Sequence, residues 1–335
     1  MMTQSGHTPS GDDATDNPAA AIPDAVISGP AISIIVPAYG VTTMLADALD
    51  SLIAQDRGDW EAVVIDDGDA RVADHVAPYA HDPRIRLVQT DNGGLSTARN
   101  RAMAQARAPL IALLDGDDIY EPDYVSTMIA AIEASPKIGL VSCDATYFGI
   151  DRVGELFSAY CPQQAPVTLE AVLRRRFNIF ICTTMRREAI EEIGGFDTSL
   201  RSAEDLDAWL RIIEAGWEVA HVARPLARYR RRAGQMSSNV KAMLHAALAV
   251  FDHARTRLAG RPEALAADAM CATIERDIEA EAGLAQIRAG EVREGLAKVV
   301  QARVADRSLT WRITIGAMRI TPWLARPLLR WRERL

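Results

Sequence analysis

The chain is short of cysteine, of lysine and of long apolar runs, and each shortage closes off a class of function. Its four cysteines, Cys143, Cys161, Cys182 and Cys271, form no C-x-x-C pair, so neither a zinc site nor a redox dithiol has support, and a reduced, cytoplasmic setting is expected. No uninterrupted apolar stretch approaches the ~18 residues of a membrane-spanning helix. No Lys or Arg precedes Arg57, so the N-terminus lacks the basic region of a signal peptide. Lys137, Lys241 and Lys298 are the only lysines, a compositional bias towards arginine and not a functional mark. Positive charge is scarce overall: 37 Lys and Arg against 45 Asp and Glu give a net charge of −8 and a pI near 5.4, which argues against nucleic-acid binding. The expectation is a soluble protein, peripheral to a membrane at most.

What is present suffices for a core. The chain has 335 residues, 49% of them apolar, enough for one large or two medium domains. Residues 1–30 are rich in Ser, Thr, Asp, Pro, Gly and Ala without periodicity and read as a disordered leader. From Ala31 the chain alternates. A buried β-branched run ends at Pro37, and a helical pattern covers 43–55. Strands follow at 60–65 and 85–88, a helix at 95–106, a strand at 110–114, a helix at 122–134 and a strand at 138–143. Such alternation predicts an α/β fold, a mostly parallel sheet flanked by helices, with ligands beyond the carboxyl ends of the strands. The α/β domain is expected over 31–238, an α-helical region over 239–306, and a basic, Trp- and Arg-rich amphipathic tail over 307–335.

Four acidic or glycine-rich turns follow predicted strands or open a helix: Asp66-Asp67-Gly68, Asn92-Gly93-Gly94, Asp115-Gly116-Asp117-Asp118 and Glu204-Asp205. Carboxylates at strand ends can converge on one cleft, which suits a hard divalent cation held partly by a substrate's phosphates. The Gly-Gly turn offers backbone N–H groups at a helix start, and Arg99 adds charge for a diphosphate. Singly, each turn has a plainer reading: Asp-Asp-Gly is a common turn, and D-x-D occurs three times in this chain. Their order is what carries weight.

In that order the sequence resembles the inverting family-2 nucleotide-sugar glycosyltransferases of GT-A fold. The matching strings are Ser33-Ile-Ile-Val-Pro-Ala-Tyr39, Val63-Val-Ile-Asp-Asp-Gly68, Asn92-Gly-Gly-Leu-Ser-Thr-Ala-Arg-Asn100, Leu114-Asp-Gly-Asp-Asp118, Gly194-Gly-Phe-Asp197 and Glu204-Asp-Leu-Asp-Ala-Trp-Leu-Arg211. The resemblance implies that Pro37, Ala38 and Tyr39 line a nucleobase pocket. Asp66 would bond the base, usually uracil, with Asp67 beside it, Arg99 near the nucleotide and Asp115 near the ribose. Asp117 would hold Mg²⁺ or Mn²⁺, Asp205 would act as general base, and Glu204 and Trp209 would flank the acceptor or diphosphate. Helix capping for Asp205 and core packing for Trp209 are the plain alternatives.

The sequence departs from the family in Tyr229-Arg-Arg-Arg-Ala-Gly-Gln-Met-Ser237, where many relatives carry a His and Arg232 is the aligned residue. Arginine has no lone pair to ligate a metal, so a direct contact with the diphosphate is the role expected of it, against a merely solvated side chain. No Gln-x-x-Arg-Trp string occurs, which speaks against a processive synthase. The implied partners are a nucleotide-sugar donor and a glycan or lipid-linked acceptor. A non-catalytic nucleotide-sugar-binding module is the second hypothesis. A nucleotidyltransferase ranks last, for want of a Gly-x-Gly-Thr-Arg phosphate loop. The tail carries seven Arg against one Glu, plus Trp311, Trp323 and Trp331. It reads as an anionic-membrane contact, in two short helical segments because of Pro322 and Pro327.

Overall fold

The computed structural model describes residues 29–304 and 308–332; the leader expected over 1–30 lies outside them apart from its last two residues, as do Arg307 and the last three residues of the tail. In chain order the α/β part runs β1 (Ile32–Ala38), α1 (Thr42–Ile53), β2 (Trp60–Asp67), α2 (Val72–Val76), β3 (Ile85–Thr90), α3 (Leu95–Gln105), β4 (Leu110–Leu113), β5 (Ile119–Tyr120), α4 (Tyr124–Glu133) and β6 (Ile138–Gly149). It continues through α5 (Leu169–Leu173), β7 (Thr184–Arg186), α6 (Arg187–Glu192), α7 (Glu204–Glu214) and β8 (Glu218–Arg231). Helices α8 (Val240–Arg257), α9 (Ala264–Ala289), α10 (Val292–Gln301), α11 (Leu309–Ile320) and α12 (Ala325–Arg332) follow.

The strands form one sheet in the order β3-β2-β1-β4-β7-β6-β8-β5. Every residue of β1, β2 and β4 is buried, because helices cover both faces, and such strands tolerate unbroken Val and Ile runs. Parallel pairing joins β3 to β2, β2 to β1, β1 to β4 and β6 to β8. Strand β7 is antiparallel to both β4 and β6, and β5 is antiparallel to β8. The sheet is thus mixed, though mostly parallel as expected. The strand-like runs 219–222 and 226–230 belong to the single strand β8, whose pairing with β6 shifts register beside Cys143 and Asp144.

On one face of the sheet, Leu45, Leu49 and Leu52 of α1 and Val125, Met128 and Ile132 of α4 pack on Ile34 and Val64. On the other, Ala98 and Ala102 of α3, Ile190 of α6 and Trp209 of α7 pack on Ile35, Val63 and Ile65. At the amino ends of the strands, buried Glu61 accepts from Ser33 Oγ at 2.7 Å, from the Arg107 backbone N at 2.6 Å and from Arg107 Nε at 2.8 Å. This network sits at the end of the sheet away from the cleft described next, and it ties β1, β2 and the chain before β4 together.

The C-terminal helices build two further cores. Val250, Phe251 and Ala254 of α8 join Ala267, Cys271 and Ile274 of α9 against Leu169 and Val172 of α5 and Leu210 of α7. The second half of α9 packs with α10, α11 and α12 through Leu284, Ile287, Val299, Ile315, Met318 and Leu329. Helices α9 and α10 cross in backbone contact, since a Cβ on Gly295 would lie 2.5 Å from the Gly283 carbonyl oxygen. The tail forms two helices separated at Pro322, as its prolines require. Among the described residues no helix is long and apolar enough to cross a membrane.

Candidate functional site

Strands β1, β2 and β4 end beside one another, and the segments leaving their carboxyl ends wall a cleft of about 950 Å³. Pro37, Ala38 and Tyr39 form one wall, with the Tyr39 ring 60% exposed at the rim. The turn after β4 supplies the next. Gly116 lies so close to the first wall that a Cβ there would sit 2.9 Å from Val41 Cγ2 and 3.0 Å from the Pro37 oxygen. This approach brings Asp115 and Asp117 to the cleft. Asp118 turns inward, buried, and accepts from the Arg230 backbone N at 2.8 Å. Burial, then the charges of Asp117 and Asp115, push the Asp118 carboxyl far above its usual range.

The far wall is the segment 198–205, and one face of α3 holds it. Ser96 Oγ donates to the Leu200 carbonyl at 3.3 Å, and Asn100 exchanges two bonds with the Phe196 backbone at 2.8 and 2.9 Å. Arg99, between them on the same face, pairs with Glu204 through Nη1 and with Asp115 Oδ1 through Nη2 at 2.7 Å. Positions i, i+3 and i+4 of a helix share a face, which explains the spacing of the Asn92–Asn100 string. Ala203 then takes a left-handed conformation (φ 60°), and α7 begins with Asp205 directed to the cleft. Burial pushes the Asp205 carboxyl above its ordinary value, against the opposing pull of Arg99. A raised carboxylate pKa at a cleft wall suits a general base.

Several expected roles change in this geometry. Arg99 lines the cleft but is only 1% exposed, and both its terminal nitrogens are engaged, so it positions Asp115 and Glu204. Burial pulls its pKa down, but Asp115, Glu204 and Asp205 outweigh that and hold it above its ordinary value. Glu204 is buried as Arg99's counter-ion and, beside Asp205, is among the residues that line the cleft. Trp209 lies one helical turn below Asp205, in the core, edge-on to Phe196; it packs and does not touch the cleft. The Gly93 and Gly94 N–H groups are likewise taken, donating to the Asp67 carboxylate at 2.8 and 2.9 Å. A protein carboxylate therefore occupies the helix start where a phosphate was expected. Asp66 is buried behind Asp67, accepting from the Asp69 backbone N at 2.7 Å, and is not among the cleft-lining residues.

Arg232 does reach the cleft, where its Nε donates to Asp117 Oδ2 at 2.8 Å. Burial and Asp115 push the Asp117 carboxyl up, and Arg232 opposes them. The side chain is neither solvated at large nor committed to the backbone; it is the counter-ion of Asp117. Sequence reasoning missed what fixes it. Gln235 accepts from the Arg232 backbone N at 2.8 Å and donates to the Tyr229 hydroxyl at 3.2 Å and to Ser237 Oγ at 2.5 Å. The only signal for Gln235 was its place three residues after Arg232, which a sequence alone does not interpret. Among the described residues no group of three or more His, Cys, Asp or Glu is arranged to hold a metal ion.

Residues 33–194 match the model of the family described as "Glycosyl transferase family 2". Among curated proteins, the chondroitin synthase of Escherichia coli is 30% identical over 195 residues, covering 56% of this chain and 27% of that protein. The chain spans about a quarter or less of the length of three of the curated relatives it matches, and about half of a fourth. Among solved structures, S. aureus TarS in complex with UDP-GlcNAc superposes with a TM-score of 0.61 at 17% identity, over 90% of this chain and 91% of that one. The mannosyltransferase PcManGT from Pyrobaculum calidifontis, in complex with GDP-Man and Mn²⁺, gives 0.57 at 19% identity, over 90% and 85%. At these identities the two structures speak for the fold alone.

Proposed function

The chain belongs to glycosyl transferase family 2 through residues 33–194, and from that membership we propose that it transfers a sugar from a nucleotide-diphosphate donor to an acceptor hydroxyl, with inversion at the anomeric carbon. The observation that carries this reading is one cleft gathering Tyr39, Asp67, Asp115, Asp117, Asp205 and Arg232 from five separate segments. The nucleobase lies along Pro37, Ala38 and Tyr39, and Asp67 is the acidic residue of the β2 end that lines this cleft. Asp115 takes the ribose. A UDP-sugar is the donor we favour, as TarS was solved with UDP-GlcNAc, and the product belongs to glycan or polysaccharide biosynthesis, as for the chondroitin synthase. A nucleotide-sugar donor sets the reaction in the cytoplasm.

The chemistry follows from the carboxylates. The Asp205 carboxylate accepts the proton of the acceptor hydroxyl as its oxygen attacks the anomeric carbon. The bond to the donor diphosphate breaks on the opposite side, so a single displacement inverts the configuration. Arg232 stands where charge gathers on the leaving diphosphate, fixed by Gln235 and ready to exchange Asp117 for a phosphate oxygen. Hard divalent cations take one or two carboxylates plus substrate phosphates, and Asp117 on the cleft wall meets that requirement. Asp117 would hold Mg²⁺ or Mn²⁺, which would supply further positive charge to the diphosphate. The test is purified protein screened against nucleotide sugars with Mn²⁺ or Mg²⁺, reading released nucleotide. Release from one donor supports the reading, and binding without release or transfer to any acceptor would leave a nucleotide-sugar-binding module.

A further inference from the structure

The tail divides its apolar residues between two opposite faces. In α11, Thr314, Ile315 and Met318 are buried against the C-terminal helices, with Trp311 half-buried beside them. Leu309, Ile313 and Ile320 are exposed, with Gly316 between them. At about 100° per residue, positions 309, 313, 316 and 320 fall within a stripe of about 60° that lies roughly opposite the packed face. The side chains of Arg312 and Arg319 are exposed along one edge of that stripe. Past α11, Trp323, 75% exposed, Leu324 and Trp331, 56% exposed, are further exposed apolar side chains, with Arg326 and Arg330 also exposed. Of the six tryptophans, these two alone are exposed; Trp60 and Trp209 are buried, and Trp217 and Trp311 are intermediate. Residues 308–332 contain five Arg and no Asp or Glu.

We propose that this outward face of residues 309–331 is a membrane contact that seats on the surface of an anionic phospholipid bilayer. Exposed tryptophan beside aliphatic side chains and arginine is the chemistry of the bilayer interface, where an indole lies among headgroups and guanidinium groups meet lipid phosphates. The α11 helix, of 12 residues, is about 18 Å long and too short to span, so it lies in the interfacial plane. A second copy of the chain fits poorly: a two-fold contact through this face would bring Arg against Arg with no acidic residue of the segment to pair them. The inference does not depend on the transfer chemistry, because none of these residues lines the cleft.

The experiment is co-sedimentation of the full-length protein with phosphatidylcholine vesicles, with and without a phosphatidylglycerol fraction. Three proteins are compared: the wild type, Trp323→Ser/Trp331→Ser, and Arg312→Gln/Arg319→Gln. All four side chains are exposed, so circular dichroism and thermal unfolding should be unchanged. The wild type should bind the anionic vesicles, bind phosphatidylcholine far less, and release with added salt. Each Arg removed should lower partitioning about fivefold, and each Trp about tenfold. Failure of the wild type to bind anionic vesicles at low salt, or equal binding of all three proteins, overturns the proposal. A dimer in light scattering that the Trp variant dissolves would assign the face to a second copy and overturn it equally.

Discussion

Replacing Arg99 with Met tests the account of the far wall more severely than any change at the cleft surface. The guanidinium is 1% exposed and pairs with buried Glu204 on one side and with Asp115, 29% exposed, on the other. Methionine fills much of the same volume without charge. Asp115 then turns to solvent at little cost, whereas Glu204 is left buried without its counter-ion, a loss of about 3–5 kcal/mol in comparable cases. Against a total stability of about 5–15 kcal/mol, that is a large fraction. Burial already raises the Glu204 carboxyl in the wild type against the pull of Arg99, and without that guanidinium its folded pKa rises further above the unfolded value. Such a group favours folding at low pH and costs stability as pH rises, so the deficit against wild type should be larger at pH 7 than near pH ~4.5. Urea unfolding of wild type, Arg99→Met and Arg99→Met/Glu204→Met at both pH values reads this out. The double variant should recover most of the loss, because an apolar pair replaces the ion pair. A single variant as stable as wild type, or a double variant no better than the single, would refute the reasoning.

At the other end of the sheet, Glu61 is buried, but Ser33, Arg107 and Arg86 together hold its carboxyl below the usual range. Its stabilisation should be present above pH ~4.3 and lost as pH falls through its lowered pKa, so Glu61→Gln should cost about 1.5–3 kcal/mol at pH 7 and progressively less as the pH is taken down through that pKa, without changing nucleotide affinity. Because Asp205 must be ionised to act and burial raises its pKa, the acid limb of kcat/KM should lie above the ordinary aspartate value of about 4; a limb at or below that value would remove Asp205 as the group seen. Arg232→Ala should raise the donor KM about tenfold, the scale of one charge-assisted hydrogen bond, and unchanged kinetics would show the Asp117 contact to be structural only. Asp117→Ala should abolish any effect of Mn²⁺ on nucleotide-diphosphate affinity, and a surviving effect would move the cation elsewhere.

The α/β framework was legible because β1, β2 and β4 are continuous apolar runs closed by Pro37, Asp67 and Asp115, and turn chemistry marks their ends. The pairing around β7 was not, since three residues carry no period. Motif order brought Asp115, Asp117 and Asp205 to one cleft but could not tell a side chain that faces it from one that supports it. Trp209 shares a string with Asp205, yet burial sets it behind the wall, and Arg99 and Glu204 reach the cleft only as a buried ion pair. That distinction depends on how deep α3 and α7 sit, which long-range packing decides. Gln235 stayed unread for the same reason: its partners Tyr229 and Ser237 meet it only once β8 has turned. The tail's two faces follow from periodicity, but which of them packs on α9 and α10 does not.

The central claim is that Asp205 is the base of a transfer reaction whose donor is bound by other residues. The direct measurement is transfer by Asp205→Asn alongside its affinity for the nucleotide diphosphate, on the donor found by the nucleotide-sugar screen. The account predicts a loss of about 10²–10⁴-fold in kcat with nucleotide affinity within a factor of about two, because the amide cannot take the acceptor's proton and the donor does not touch it. Transfer at the wild-type rate would contradict the claim.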